Sequence, residues 1–343
     1  MELPLFSDIQ EFYGWNKDVQ VEKIGSGLIN NTFKVSAGSK QYILQRLNEN
    51  VFTSPTFIDD NLTILAAYFK KNHPSYLFTA PVKGISGATL FHINDIYYRS
   101  FEYIPDTITI NIVENTSQAF EAAFQFGKFT ALTDELEPSS LKVTLPDFHN
   151  LLLRYDQFDN ASGNGNLKRI EASKDEIKFI ASQKDILMQF EKFIQHKHVK
   201  QRITHHDTKI SNVLFKEDFK GLCVIDLDTV MPGYFLSDVG DMFRTYICPV
   251  SEEEQDLDKI TVRKDFIEAI QDGYLSAMED KLTSFEKDRF LFAGDVLIYM
   301  QAIRYLTDYL NDDVYYGSKY PGHNLMRAKN QIHLLQQYQE AIK

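Results

Sequence analysis

The chain has 343 residues, 43% of them hydrophobic and 24% charged, with a formal net charge of −12. That is enough sequence for two globular lobes with a buried core, and the acidic balance, with no basic run beyond pairs such as Lys70-Lys71, excludes a nucleic-acid surface. The opening residues, MELPLFSDIQEF, lack a basic and apolar leader, and no apolar run reaches membrane-spanning length, so a cytoplasmic protein with no membrane segment is expected.

Three β-prone runs come first, at 21–24, 32–35 and 41–47, separated by the turn-formers GSGLINN and SAGSK, and they read as an antiparallel meander. The turn GSGLINNTF would let backbone N–H groups approach a phosphate. Gly25 and Gly27 supply the freedom, and Asn30, at the third position of a G-x-G-x-x-G pattern, is the non-glycine residue most tolerant of a left-handed backbone. Taken alone, a plain hairpin turn is the more ordinary reading.

The third run ends in Gln45 and Arg46. A kinase keeps a lysine there, beneath the glycine-rich turn, paired with a carboxylate on the following helix. Arg46 is the cation on offer, and Asp60 is its expected partner on a helix over 57–71. The plainer alternative is an exposed surface pair. Because adjacent strand residues face opposite ways, register decides between Gln45 and Arg46.

Two further strands, 89–93 and 96–103, turn at Asn94-Asp95 and stop before Pro105, which marks an expected division into an N-terminal part, 1–104, and a C-terminal part, 105–343. Beyond it the periodicity is helical, at 118–132, 174–196, 263–278 and 285–310, with strand-like exceptions at 213–215 and 222–225. The segment NASGNGN, 160–166, reads as a surface loop. Cys223 and Cys248 lie among apolar neighbours and are too few for a disulfide framework, which suits core packing in a reducing compartment.

The densest chemistry is THHDTKISN, 204–212, followed by VIDLDT, 224–229. A phosphotransferase loop needs an aspartate to orient or deprotonate the acceptor hydroxyl, a lysine two residues on to neutralise the transferring phosphate, and an asparagine five residues on to hold Mg2+. Asp207, Lys209 and Asn212 have that spacing, and Asp226, after a short apolar run, supplies the second hard oxygen donor that Mg2+ prefers. A zinc site on His205, His206 and Asp207 competes poorly, since consecutive residues do not readily converge on one tetrahedral ion.

These elements, in this order, resemble the aminoglycoside phosphotransferase and choline kinase superfamily, whose loop reads H-G-D-x-x-x-x-N; here His206 replaces the glycine. The stretches VIDLDTVMPGYFLSDVGDMFR, YILQRLN, AIRYLTDYLNDDVYY and GHNLMRAKNQ look like the N-acetylhexosamine 1-kinase group along nearly the whole chain. The resemblance implies an α+β, protein-kinase-like bilobal fold with a small antiparallel β-rich N-lobe and a larger helical C-lobe. It implies an adenine-contacting hinge at Phe101, Glu102 and Tyr103, ATP and Mg2+ as cofactors, and an amino sugar phosphorylated at its C1 hydroxyl with Asp207 as base.

Arg304 and Asp308 lie one turn apart on the helix expected over 285–310, with Tyr315 just beyond it. Such a set can hydrogen-bond and stack on a sugar, or form a buried ion pair against a packed tyrosine; the resemblance favours Arg304 and Tyr315 as sugar contacts. Alternatives are a kinase of the same fold acting on choline, homoserine or an aminoglycoside, and a noncatalytic nucleotide-binding protein. A protein kinase is disfavoured because neither D-F-G nor A-P-E follows the metal aspartate. Oligomeric state is left open.

Overall fold

The computed structural model describes residues 6–15, 18–24 and 30–343, so the Gly25 and Gly27 turn lies outside the described residues. Strands β1 (Val19–Lys23), β2 (Asn31–Ala37), β3 (Lys40–Arg46), β4 (Leu90–Ile93) and β5 (Ile96–Glu102) form one antiparallel sheet in the order β1-β2-β3-β5-β4. Alternation along the strands buries Phe33, Val35, Tyr42, Leu44 and Tyr98 in a small core shared with Ile9 and Tyr13 of α1 (Phe6–Tyr13). The opposite face carries Thr32, Ile43, Gln45, Arg99 and Phe101 into a cleft of about 860 Å³.

Helix α2 (Pro55–Asn72) begins with a proline whose missing N–H costs nothing in the first turn, and it buries Ile58, Leu62, Leu65 and Phe69 in the main core rather than the sheet's own. Its Asn61, 1% exposed, fixes it there. The amide donates to the carbonyls of Lys142 and Val230 at 2.8 and 3.1 Å and accepts from the Lys142 N–H.

After the sheet the chain is mainly helical, and it is α+β as its sequence suggests. The helices are α3 (Thr116–Leu132), α4 (Leu151–Asn164), α5 (Leu167–Ala172), α6 (Lys174–Ser182), α7 (Lys184–Ile194), α8 (Phe235–Tyr246), α9 (Lys264–Met278), α10 (Ser284–Lys287), α11 (Phe292–Leu310) and α12 (His323–Ala341). Helix α11 is buried around most of its circumference, as expected of a central helix packed by α4, α8 and α12. Helices α3 and α9 touch backbone to backbone: a Cβ at Gly273 would sit 2.3 Å from the Phe120 carbonyl oxygen, and one at Gly127 would sit 2.8 Å from that of Tyr274.

Three expectations from periodicity are corrected. The helix over 174–196 is two, broken at Gln183, and that over 285–310 is α10 and α11 with a turn between. The expected loop 160–166 is largely helical: α4 continues to Asn164, and the Asn166 side chain caps α5 by accepting from the N–H groups of Lys168 and Arg169. Local composition was outweighed by packing on α11, whose Leu310 carbonyl accepts the Asn166 N–H at 2.9 Å.

Five short strands lie around the segment 204–212: β6 (Thr107–Ile108), β7 (Arg202–Thr204), β8 (Val213–Lys216), β9 (Gly221–Val224) and β10 (Met231–Gly233), paired as β6-β8-β9 and β7-β10. Strand β7 is anchored by a buried pair, Arg202 and Glu286, 2% and 0% exposed, joined by two bonds of 2.7 and 3.0 Å. Both cysteines are free and buried. No described helix is long and apolar enough to cross a membrane.

Candidate active site

The segment 204–212 leaves β7 and is held from below by two carboxylates of α8. Asp238 accepts the backbone N–H groups of His205 and His206 at 3.1 and 2.7 Å, and Asp241 accepts that of Thr208 at 2.8 Å. His205 bridges to the Ile225 carbonyl at 2.9 Å, tying the loop to the end of β9.

His206, the departure from the glycine of the resembling loop, has φ of +67°. That left-handed conformation is the one glycine adopts without strain. Its ring is buried beside Thr204 and Gly233, and a Cβ at Gly233 would lie 2.4 Å from the imidazole Nε2. Burial drives this imidazole down to about 4, so it is neutral at physiological pH. We expect Gly233→Ala to destabilise the protein by about 1–3 kcal/mol through this overlap. His206→Gly in the same chain should relieve only part of that cost, because the Thr204 hydroxyl oxygen would lie closer still, at 2.3 Å, and a double-mutant cycle on denaturant midpoints measures the coupling.

The loop brings four of the expected residues to one wall of the cleft. Asp207, Lys209, Asn212 and Asp226 all line it, with Phe101, Glu102 and Tyr103 along another edge and Asn30 opposite. Lys209 Nζ lies 3.1 Å from the Asp207 carboxylate, and the Asn212 amide donates to the Asp207 carbonyl at 2.9 Å. Asp226 has a left-handed backbone, φ +58° and ψ +59°, which turns its side chain off the end of β9 toward the cleft. Strain of that kind in a non-glycine residue gathers at functional sites.

A family model described as Phosphotransferase enzyme family, APH, matches residues 20–277. The chain belongs to this family. Among solved structures, a spectinomycin phosphotransferase, in complex with ADP and spectinomycin, is 13% identical with a TM-score of 0.58, over 98% of this chain and 97% of that one. A microcompartment-associated aminopropanol kinase is 17% identical with a TM-score of 0.65, over 97% and 96%. The choline kinase of Cryptosporidium parvum Iowa II is 13% identical with a TM-score of 0.54, over 94% and 90%. These likenesses show that the phosphotransferase has the kinase-like fold of that group.

The electrostatics of this phosphotransferase separate its two cleft aspartates. Burial alone would raise the Asp207 carboxyl, but Lys209, His205 and Arg244 outweigh it and hold the group below its ordinary range. Asp226 is pushed up to about 7 by the protein packed around it and by the carboxylates of Asp228 and Asp207. Among the described residues Asp226 makes no ion pair with a lysine or arginine, and its exposed side chain feels Arg99 and Lys209 only as weaker, opposing influences. Asn212, its amide nitrogen committed to Asp207, leaves an amide oxygen as the second donor. That donor set fits Mg2+, a hard cation that takes few protein oxygens and keeps others for water and phosphate.

The expected pair of Arg46 and Asp60 does not form. Asp60 binds Lys142 at 2.5 Å, and Arg46 stands opposite Tyr98 on the core side of β3, away from the cleft. Register places Gln45 in the cleft instead.

Asp308 is likewise corrected as an acceptor contact. It is 5% exposed, and its oxygens accept the N–H groups of Tyr315 and Tyr316 at 2.7 and 2.9 Å and the Asn324 amide at 3.0 Å. It shapes the turn after α11 and makes no ion pair with Arg304. Arg304 lies among the rings of Phe148, Tyr316 and Tyr315 at 5.6, 5.5 and 6.0 Å, with Tyr315 itself 72% exposed. Sequence reading missed Phe148 and His149, whose stacked rings join this cluster to the loop through His206, 5.5 Å from His149. An aromatic-histidine pair just before a helix was the only available signal.

Beneath the loop, Arg244 joins Asp241 and Glu252 at 2.8 Å each, and Glu252 also receives Arg327 at 2.5 Å. Burial raises the Glu252 carboxyl, yet Arg244 and Arg327 together hold it at about 2. Its folded value lies below its unfolded one, so its contribution to stability is present above about pH 4.5 and fades as pH falls toward 2. Glu252→Gln should therefore lower stability by up to about 3 kcal/mol at neutral pH. The difference from wild type should shrink by roughly half at pH 3; urea melts across that range check it.

Proposed function

We propose that this phosphotransferase transfers the γ-phosphoryl group of ATP to a small-molecule hydroxyl, the C1 hydroxyl of N-acetylglucosamine or N-acetylgalactosamine. In this reading residues 1–104 form the nucleotide-binding lobe and 105–343 the catalytic lobe, and Phe101, Glu102 and Tyr103 receive the adenine. The observation that carries it is the Asp207 carboxylate, held below its ordinary range and lining the cleft together with Lys209, Asn212 and Asp226.

Asp207 accepts the hydrogen bond of the anomeric hydroxyl and directs its oxygen at the γ-phosphorus. The new O–P bond forms as the bond to the β–γ bridging oxygen breaks, and the hydroxyl proton passes to Asp207. Lys209 offsets charge on the transferring oxygens. Asn212 and Asp226 would hold Mg2+, which would supply charge neutralisation at the phosphates.

The N-acetyl assignment is supported by the motif likeness and by the acceptor side of Asp207. Arg154, Arg304 and His149 gather near His206, the residue before Asp207, and Arg154 is pulled down by burial and by Arg304 beside it. The nearby acids Asp308 and Glu252 are already engaged, so the side that would receive the acceptor suits a neutral polar ring better than an ammonium. ADP release with Mg2+ should rise with N-acetylglucosamine or N-acetylgalactosamine and stay at background with choline, aminopropanol, homoserine and spectinomycin. Turnover on an amine acceptor alone would overturn the sugar reading.

A further inference from the structure

The position where a kinase carries its phosphate-binding lysine is Gln45 here, an uncharged amide, and the cation lies on the neighbouring strand. Gln45 on β3 stands directly opposite Arg99 on β5, and its side-chain oxygen accepts from the Arg99 Nε and Nη2 at 3.0 and 2.8 Å. Arg99 is 2% exposed, stacks its guanidinium 5.1 Å from the Phe101 ring, and binds the Asp228 carboxylate at 2.5 Å. Asp228 in turn accepts the Asn30 amide at 2.7 Å, so one carboxylate beyond the catalytic loop is gripped by Arg99 of β5 and by the residue just before β2.

The usual carboxylate partner has moved as well. On α2, Asp59 is engaged by Thr89 at 2.7 Å and Asp60 by Lys142, and the helix is anchored to the rest of the molecule through the neutral Asn61. Among the described residues the cleft wall holds two cations, Arg99 and Lys209, against the acids Glu102, Asp207, Asp226 and Asp228. The Arg99 Nη1 is buried and has no hydrogen-bond partner, although the side chain lines the cleft. A guanidinium nitrogen left without a partner on a residue that lines the cleft is a donor that an anionic ligand can satisfy.

We propose that Arg99 is the phosphate-facing cation of the nucleotide site, relocated from β3 to β5, and that Asp228 replaces the helix carboxylate that orients such a cation. Gln45 acts as a positioning residue, fixing the guanidinium plane by a two-pronged hydrogen bond. The planar fork engages phosphate oxygens with Nη1 while its other nitrogens stay on Gln45 and Asp228. This inference rests on the nucleotide reading of the cleft, and its test needs no acceptor.

Calorimetric titration with ATP and with adenosine separates the two. Arg99→Gln should weaken ATP binding at least tenfold and leave adenosine affinity unchanged. Because that variant leaves Asp228 without its partner, Arg99→Gln combined with Asp228→Asn removes the pair together and should show the same selective loss. Returning the charge to its usual strand, Gln45→Lys with Arg99→Gln, should restore a substantial part of it. Equal ATP affinity in wild type and both folded Arg99 variants would overturn the proposal while leaving the nucleotide reading intact. Failure of the wild type itself to bind ATP would overturn both.

Discussion

Asp207→Asn should lower turnover by roughly 10³-fold and leave nucleotide affinity close to wild type. The substitution conserves size and removes the charge proposed to accept the hydroxyl proton. The loop should survive it, because its shape is set by other groups. Asp238 and Asp241 hold the backbone N–H groups of His205, His206 and Thr208, and Tyr246 donates to the Thr208 carbonyl at 2.5 Å. The nucleotide would meet Phe101 to Tyr103 and Arg99, none of which contacts the changed atom. The kinetics should therefore separate, with kcat falling and the ATP constant holding. Turnover within tenfold of wild type would remove Asp207 from the mechanism. A variant that loses ATP binding as well would point to collapse of the Lys209 contact instead.

The second large effect is on stability. Glu286→Ala should cost about 3–5 kcal/mol, because it leaves the Arg202 guanidinium in the core without its bidentate partner. Glu286 also accepts the N–H groups of Lys200 and Thr283, so these and the two Arg202 nitrogens, four donors in all, lose their acceptor at once. Arg202→Met with Glu286→Leu should recover part of the loss, since it leaves no orphaned charge although the two backbone donors remain unpaired. Strand β7 leads from Arg202 straight into the loop at Thr204, so the single variant should yield less folded enzyme but near-normal turnover per folded molecule. Denaturant midpoints give the first quantity and active-site titration the second. A loss below about 1 kcal/mol would mean that water screens the pair.

The parts of the site that were legible in the sequence are those whose geometry is local. Asp207, Lys209 and Asn212 lie within six residues, and one turn of backbone brings them together; Asp226 follows on the next short strand. The meander of β1 to β3 was equally plain, because turn-formers and period-two patterning coincide there. What could not be read depends on pairings distant in sequence. Choosing Gln45 over Arg46 needs the register of β3 on β5, and it is this register that puts Arg99, 54 residues away, against Gln45. Asp308 shares a helical turn with Arg304, yet the turn after α11 has two backbone N–H groups to satisfy and draws the carboxylate inward. The loop expected at NASGNGN became helix for a similar reason. Its glycines permit a turn, but packing on α11 decided the matter.

The His206 departure shows how a broken motif can keep its shape. A left-handed residue is required, and histidine takes that conformation at some cost while Gly233 leaves room for its ring. The pattern letter changed while the backbone it stands for was retained.

The most direct test of the central claim is the proton-coupled phosphorus NMR spectrum of the product formed from ATP, Mg2+ and N-acetylglucosamine. Transfer to the anomeric oxygen predicts a sugar phosphate whose phosphorus is split by the single proton on C1, with ADP formed in equal amount. Coupling to the two methylene protons of C6, or inorganic phosphate with the sugar unchanged, would contradict it.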